Sequence, residues 1–144
     1  MSLRSYQKHK MTEVNYLKKE DILTAHSIGF ELYGGNLYGY DESCIEKRVV
    51  EPQLFYFGVE QYPGILKKAS IYWHRLTTSH CFVDGNKRVG LLSTLMFLEM
   101  NGYEVIADDD SLYNYCLLIA DHETRPTIEE VEDWLKQHTI KINY

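Results

Sequence analysis

The run "KRVGLLSTLMFLEM", residues 87 to 100, constrains this chain more than any other stretch. Val89, Leu91, Leu92, Leu95, Met96, Leu98 and Met100 leave little polar surface on any side. A helix that is apolar around most of its circumference has to be surrounded by other elements, so the fold is expected to be built around this one. Asn101-Gly102 follow directly and supply a C-terminal stop.

The segments around it read as further helices. "EDILTAHSIGFELYGG" carries Ile22, Ala25, His26, Gly29 and Leu32 at helical spacing, and Gly34-Gly35 end it. A shorter helix is expected over "DESCIEKRVV", with Asp41 as its N-cap. "ILKKASIYWHRLTTS" predicts an amphipathic helix ending near Ser79. "SLYNYCLLIAD" predicts another, after the acidic cluster Asp108–Asp110. In the last helix Thr127 and Glu130 fit a capping box.

Residues 51 to 64, "EPQLFYFGVEQYPG", differ from all of these. Bracketed by Pro52 and Pro63, their aromatics predict a short strand or an ordered flap. Their ordinary reading, as core and edge aromatics, carries equal weight. "YEVIA" is a second candidate strand. The sum is a mainly α domain of about six helices with at most a small β element. Residues 1–15 read as a polar N-terminal extension, expected to be frayed, whose "MSL" start can be vector-derived. Residues 16–144 read as one domain.

Composition limits the function classes. The net charge is −6, which argues against broad, nonspecific nucleic-acid binding because that needs a basic face to displace counterions. No apolar run is long enough to span a bilayer, so no membrane role and a cytoplasmic location are expected. Cys44, Cys81 and Cys116 are odd in number and form no Cys-x-x-Cys pair. Neither a disulfide framework nor a zinc knuckle is suggested, and reduced thiols are the expectation.

The chemistry concentrates in "HCFVDGNKRVG", residues 80 to 90, the loop leading into the apolar helix. The backbone N–H groups of Gly85, Asn86 and Lys87 fall where a helix cannot satisfy them. With the positive end of the helix dipole they make an anion site, for which phosphate is the common occupant. Gly85 lets the chain turn sharply and approach a ligand. Lys87 and Arg88 add positive charge, and Arg can hold phosphate through two parallel bonds. Asp84 suits Mg²⁺, which takes one or two carboxylates together with phosphate oxygens. His80 supplies a base with an ordinary pKa near neutrality. Phosphoryl or nucleotidyl transfer is the implied reaction class.

Each residue alone also has an ordinary structural reading. His80 can be a hydrogen-bonded loop residue, Asp84 a helix cap, Asn86 a turn residue, and Lys87 and Arg88 a solvated first turn. Two cations at the positive end of a helix dipole are mildly unfavourable, however, and that favours an anion nearby to offset them.

"HCFVDGNKR" resembles the signature of the Fic/Doc family, His-x-Phe-x-Asp-Gly/Ala-Asn-Gly/Lys-Arg, and the Lys after Asn resembles its Doc (death-on-curing) branch. "GLLSTLMFLEMNGYEV" and "ELYGGNLYGYDESCIEKRVVEPQ" are similar to the flanking segments of Doc-like proteins, so the likeness covers roughly residues 16 to 138. The resemblance implies a small helical fold whose loop binds ATP with Mg²⁺. It implies that His80 activates a hydroxyl of a protein substrate, that Asp84 holds the metal, that Gly85, Asn86 and Lys87 form an anion hole, and that Arg88 binds phosphates. It also implies a flap at residues 51 to 64 that docks the target in extended form. The Doc branch moves the terminal phosphate of ATP, onto elongation factor Tu, whereas typical Fic enzymes transfer AMP.

Three positions depart from the pattern. Cys81 replaces the common Pro. Leu91 stands where Fic enzymes have a second Arg, which favours phosphate over AMP transfer. Thr78 stands where Doc has an Arg, for which Arg75, one helical turn earlier, is a partial substitute. No convincing Ser/Thr-x-x-x-Glu inhibitory helix is found, since Thr127 is followed four residues on by Val131. Inhibition in trans by an antitoxin is therefore implied. A non-catalytic binding module of the same fold is the rival from another class. A Cys81–His80 hydrolase fails because adjacent residues rarely face each other, and zinc hydrolysis through His74 and His80 lacks ligand spacing.

Overall fold

The computed structural model describes residues 13–35 and 39–142; most of the polar extension, residues 1–12, lies outside them. In chain order the elements are α1 (Lys19–Tyr33), α2 (Glu42–Val50), a 3₁₀ turn (Glu51–Gln53), β1 (Phe55–Tyr56), β2 (Val59–Glu60), α3 (Ile65–Thr78), α4 (Asn86–Met100), β3 (Tyr103–Val105), α5 (Asp109–Ala120), α6 (Ile128–His138) and β4 (Thr139–Lys141). The mainly α architecture expected from the periodicity is the one observed.

The α3–α4 pair forms the centre. α1 packs on α4, α6 packs on α3, and α5 bridges both. α3 is the more enclosed of the two, with an unbroken buried stretch from Lys68 to His74. α4 buries Val89, Phe97 and Leu98, while Leu91 and Met96 are half-buried against the same core. Gly90 explains how closely the two helices approach. A Cβ there would stand 2.3 Å from Thr77 Oγ1 and 3.2 Å from the Trp73 carbonyl. Trp73 in turn packs its ring against Tyr115 and Trp134, each 5.4 Å between centroids, which ties α5 and α6 to α3. A fully buried side chain of this kind contributes about 1.5–3 kcal/mol.

The local signals read from the sequence act as expected. Asp41 caps α2 by accepting from Cys44 N at 3.1 Å. Thr127 and Glu130 exchange their two capping-box hydrogen bonds at 3.1 Å each. Gly34, at φ 76°, ends α1, and its N–H reaches Phe30 O. Asn101 ends α4 and also ties down the start of the described chain: its side chain accepts from Asn15 N and donates to Asn15 O, both at 2.9 Å.

Two small antiparallel sheets complete the domain. Residues 51 to 64 contain the β1–β2 hairpin, whose turn residues Phe57 and Gly58 both have positive φ, as hairpin turns of this length require. Its ring-bearing residues are not core: Phe57 is 90% exposed, and Phe55 and Tyr56 also face solvent. The hairpin is anchored from below by Lys68, whose fully buried ammonium binds the Glu60 carboxylate and the Tyr62 carbonyl. "YEV" forms β3 and pairs with β4, with Tyr103 opposite Lys141 and Val105 opposite Thr139.

The expectation of reduced thiols is corrected. Cys44 and Cys81 form a disulfide, with Cα atoms 5.4 Å apart and a separation of 37 positions in sequence. The fold brings them together because the segment before α2 lies along the motif loop. Asp41 N donates to Cys81 O at 2.8 Å, Val83 N donates to Gly39 O at 2.9 Å, and Tyr40 pairs with Phe82 as a β-bridge. Cys116 is the free cysteine and is buried.

Candidate functional site

The motif loop connects the two central helices and is held from three directions. Asn86 Oδ1 accepts from Phe82 N at 3.2 Å, and Asn86 Nδ2 donates to Phe82 O at 2.9 Å. The Asn86 side chain is thus a clasp inside the loop, and only its backbone N–H is left to face a ligand. Phe82 is buried, and its ring stacks on His26 of α1 at 4.2 Å between centroids. The Cys44–Cys81 disulfide and the Asp41–Cys81 bond hold the loop from the α2 side.

Gly85, at φ 86°, is the N-cap of α4, and no side chain caps the helix. The cap reading of Asp84 is therefore not the one adopted. Val89 N is the first amide to bond back, to Gly85 O at 2.9 Å. The N–H groups of Asn86, Lys87 and Arg88 precede it in the first turn, where no helical carbonyl is available. That turn carries two cations and no carboxylate, the arrangement that attracts an anion. Lys87 is exposed; Arg88 and Asp84 are half-buried.

Arg88 links this turn to α1. Its Nη1 donates to Gly34 O at 2.8 Å and to Gly29 O at 3.2 Å, capping the end of α1, while Nη2 lies 4.0 Å from Asp84 Oδ1. The result is a narrow cradle lined by His26, Gly29, Phe30, Gly34, Asp84, Gly85 and Arg88. Gly35 closes against it so tightly that a Cβ would stand 2.6 Å from Asp84 Oδ2 and 3.1 Å from Arg88 Nη2. Asp84 is the carboxylate in the cradle, and no cluster of three metal-ligating side chains exists among the described residues. One carboxylate suits a cation that completes its shell with phosphate oxygens and water.

His80 sits at the start of the loop, exposed, at φ 53°. A non-glycine residue in the left-handed region carries backbone strain that the surrounding ties must hold. Those ties are the disulfide at the next residue and the bridge at Phe82. The structure thus brings His80, Asp84, Gly85, Asn86, Lys87 and Arg88 to one loop and one helix start. Thr78 takes no part, since its hydroxyl bonds back to His74 O at 2.8 Å within α3. Leu91 is half-buried against the hydrophobic core.

Sequence reasoning missed two side chains that shape this region. His26, 6% exposed, bonds through Nε2 to Asp84 O at 3.0 Å. Because a carbonyl only accepts, this ring carries its proton on Nε2. Its signal was a histidine on the buried face of α1, in register with Ile22, Ala25 and Gly29. Arg48 of α2 donates from Nη1 to Ser79 Oγ at 2.5 Å, directly before His80, and nothing in the sequence separated it from an ordinary surface arginine.

The family model described as "Fic/DOC family" matches residues 16–98. This chain belongs to the Fic/DOC family. Within it, the chain is similar to the protein named Toxin Doc of Mycolicibacterium smegmatis, 41% identical over 100 residues that cover 69% of this chain and 73% of that protein. It is also similar to Protein kinase doc of Escherichia phage P1, 25% identical over 92 residues covering 64% of this chain and 72% of that one. Fic/Doc members are protein-modifying transferases and generally use ATP with a metal. Among the described residues no helix is long and apolar enough to cross a membrane.

Proposed function

We propose that this protein is a Doc-type toxin that transfers the terminal phosphate of ATP to a Ser or Thr hydroxyl of a protein such as a translation factor. The observation that carries the reading is the convergence at the α4 N-terminus. Uncapped N–H groups, two cations and the Asp84 carboxylate meet there within a few residues of an exposed histidine. The relatives named Toxin Doc and Protein kinase doc support the class.

In this mechanism His80 accepts the proton of the acceptor hydroxyl as its oxygen bonds to the terminal phosphorus, and the bond from that phosphorus to the bridging oxygen breaks. The first-turn N–H groups, Lys87 and Arg88 face the negative charge that develops on the phosphoryl oxygens. Arg88 keeps only part of its donor set for this task, because Nη1 already serves the end of α1. Asp84 would hold Mg²⁺, which would neutralise part of the charge on the polyphosphate.

Phosphate transfer is favoured over AMP transfer by Lys87, an exposed cation in the first turn of α4, and by the apolar Leu91. An antitoxin acting in trans is the expected partner. Incubation of the protein and a cell lysate with ATP labelled at either the α or the γ phosphate tests the reading. Label on protein from the γ position alone is the expected result. Label from the α position alone assigns AMP transfer, and label from neither, with toxicity unchanged in His80→Ala, assigns a binding module.

A further inference from the structure

A second concavity shares no residue with the cradle around Asp84 and Arg88. It is an open groove of about 330 Å³ lined by Lys47, Arg48, Val50, Glu51, Leu54 and Arg75. Its charged walls are organised by one carboxylate. Glu51 holds Arg75 Nε at 2.8 Å through one oxygen and lies 3.4 Å from Arg48 Nε through the other. Both guanidinium groups are thereby fixed in place, at the cost of half their charge. Lys47 is exposed and has no ion-pair partner among the described residues. Three cations against one carboxylate leave the groove positive, on a chain whose net charge is −6.

The groove is joined to the motif loop at one end and to the hairpin at the other. Arg48 bonds the Ser79 hydroxyl, and His80 is the next residue. Leu54, exposed on the groove wall, leads directly into β1. An extended segment lying along the hairpin with a hydroxyl at His80 would therefore pass over these cations.

We propose that the groove recognises an acidic side chain, Asp or Glu, of the protein substrate, close in sequence to the modified hydroxyl. The carboxylate lies against Lys47 and the two guanidinium groups, and the aliphatic stem lies on Val50 and Leu54. Fixed planar guanidinium groups suit a carboxylate geometrically. A nucleic acid fits less well: Glu51 already offsets part of the charge, and the acidic remainder of the molecule repels a long phosphate backbone. Arg75 and Arg48 thus bring the arginine charge that Thr78 fails to supply to this edge of the site. The inference rests on the transferase reading for why a substrate segment arrives here, but binding itself needs no transfer.

The test uses the full chain and fluorescein-labelled peptides, Ala-Glu-Glu-Ser-Glu-Glu-Ala and its Lys-for-Glu counterpart, followed by fluorescence anisotropy. The acidic peptide is expected to bind about tenfold more tightly than the basic one and to weaken with added salt. Lys47→Glu should remove most of that preference. Lys141→Glu, the same charge change on β4, should leave it within about twofold. His80→Ala should bind like the wild type, which separates this site from the chemistry. Equal affinity for the two peptides overturns the proposal, as does an equal loss in Lys47→Glu and Lys141→Glu, since the net charge alone would then account for the binding. Transfer of γ-label in lysate is scored in parallel. γ-Label transfer with no acidic preference overturns the groove alone, and acidic preference with no γ-label transfer overturns the terminal-phosphate reading alone.

Discussion

His26 Nε2 donates to the backbone carbonyl of Asp84 at 3.0 Å while its ring stacks on Phe82. One buried side chain of α1 therefore sets both the floor of the motif loop and the direction of the residue that carries the candidate metal carboxylate. The two contributions can be separated. His26→Phe keeps the stack and removes the hydrogen bond; His26→Ala removes both. Losing a part-buried hydrogen bond costs about 1–3 kcal/mol when the acceptor is left unpaired. His26→Ala is expected to lower the melting temperature more than His26→Phe, and both are expected to reduce γ-label transfer. If His26→Phe retains full transfer, the Asp84 carbonyl needs no such anchor.

Gly35 makes a sharper test of the cradle. At φ 109° and with Asp84 Oδ2 2.6 Å from any Cβ, it tolerates no side chain without displacing either Asp84 or its own backbone. Gly35→Ala is expected to cost about 1–3 kcal/mol in backbone strain and to weaken ATP binding. Gly58→Ala serves as a comparison, because that glycine also has positive φ (77°) but nothing within 4 Å of its Cβ. It should show strain without a binding defect. Calorimetric titration of ATP with Mg²⁺ against both variants separates the two effects.

What the sequence disclosed about this fold and site followed the range of the interaction. Asp41, Thr127 and Gly34 act on residues three or four positions away, and each cap stood where its local pattern predicted. The motif was legible for the same reason, because its loop and helix start are contiguous. The disulfide was not, since it depends on the segment around Tyr40 lying along Phe82. Nor was β4, a three-residue strand that exists only because β3 offers it a partner across the whole of α5 and α6. Asn86 was read for its backbone and proved to use its side chain as well, on Phe82. Arg48 and Arg75 meet only through Glu51, so their shared groove had no linear signature.

His74 gives the protein a pH dependence. It is buried in α3, and burial first, then the neighbouring Arg75 and Arg125, push its pKa below the ordinary value of 6.5. The folded state therefore binds this proton less readily than the unfolded chain. The stability contribution is complete above pH 6.5 and is lost as pH falls through the lowered folded value. Urea midpoints measured from pH 7.5 downward should fall below about pH 6.5, and His74→Gln should flatten the decline. An unchanged slope in His74→Gln would assign the acid sensitivity to other groups.

The Cys44–Cys81 disulfide closes a loop spanning 37 positions. In the chain-entropy account, a loop of this length stabilises by roughly 3–4 kcal/mol. Cys44→Ser should lower the melting temperature of the oxidised protein and leave that of the dithiothreitol-treated protein nearly unchanged. With Cys116 free and Cys44 paired to Cys81, alkylation in denaturant should label one thiol before reduction and three after. Labelling of the untreated protein at Cys44 and Cys81 would show that the bridge does not form in solution.

His80 combines exposure with a backbone conformation that only glycine adopts without strain. A residue kept in that region without burying anything has a reason other than stability. His80→Gly should therefore remove strain of order 1 kcal/mol and raise the melting temperature slightly or leave it unchanged. Loss of a general base costs about 10²–10⁴-fold in rate, so γ-label transfer should fall by at least two orders of magnitude in the same variant. His80→Ala, which keeps a Cβ and hence the strain, should match it in activity and not in stability. A stabler, inactive protein is the signature of a residue held in place for its chemistry. Equal loss of stability and activity in His80→Gly would instead make it a structural part of the loop.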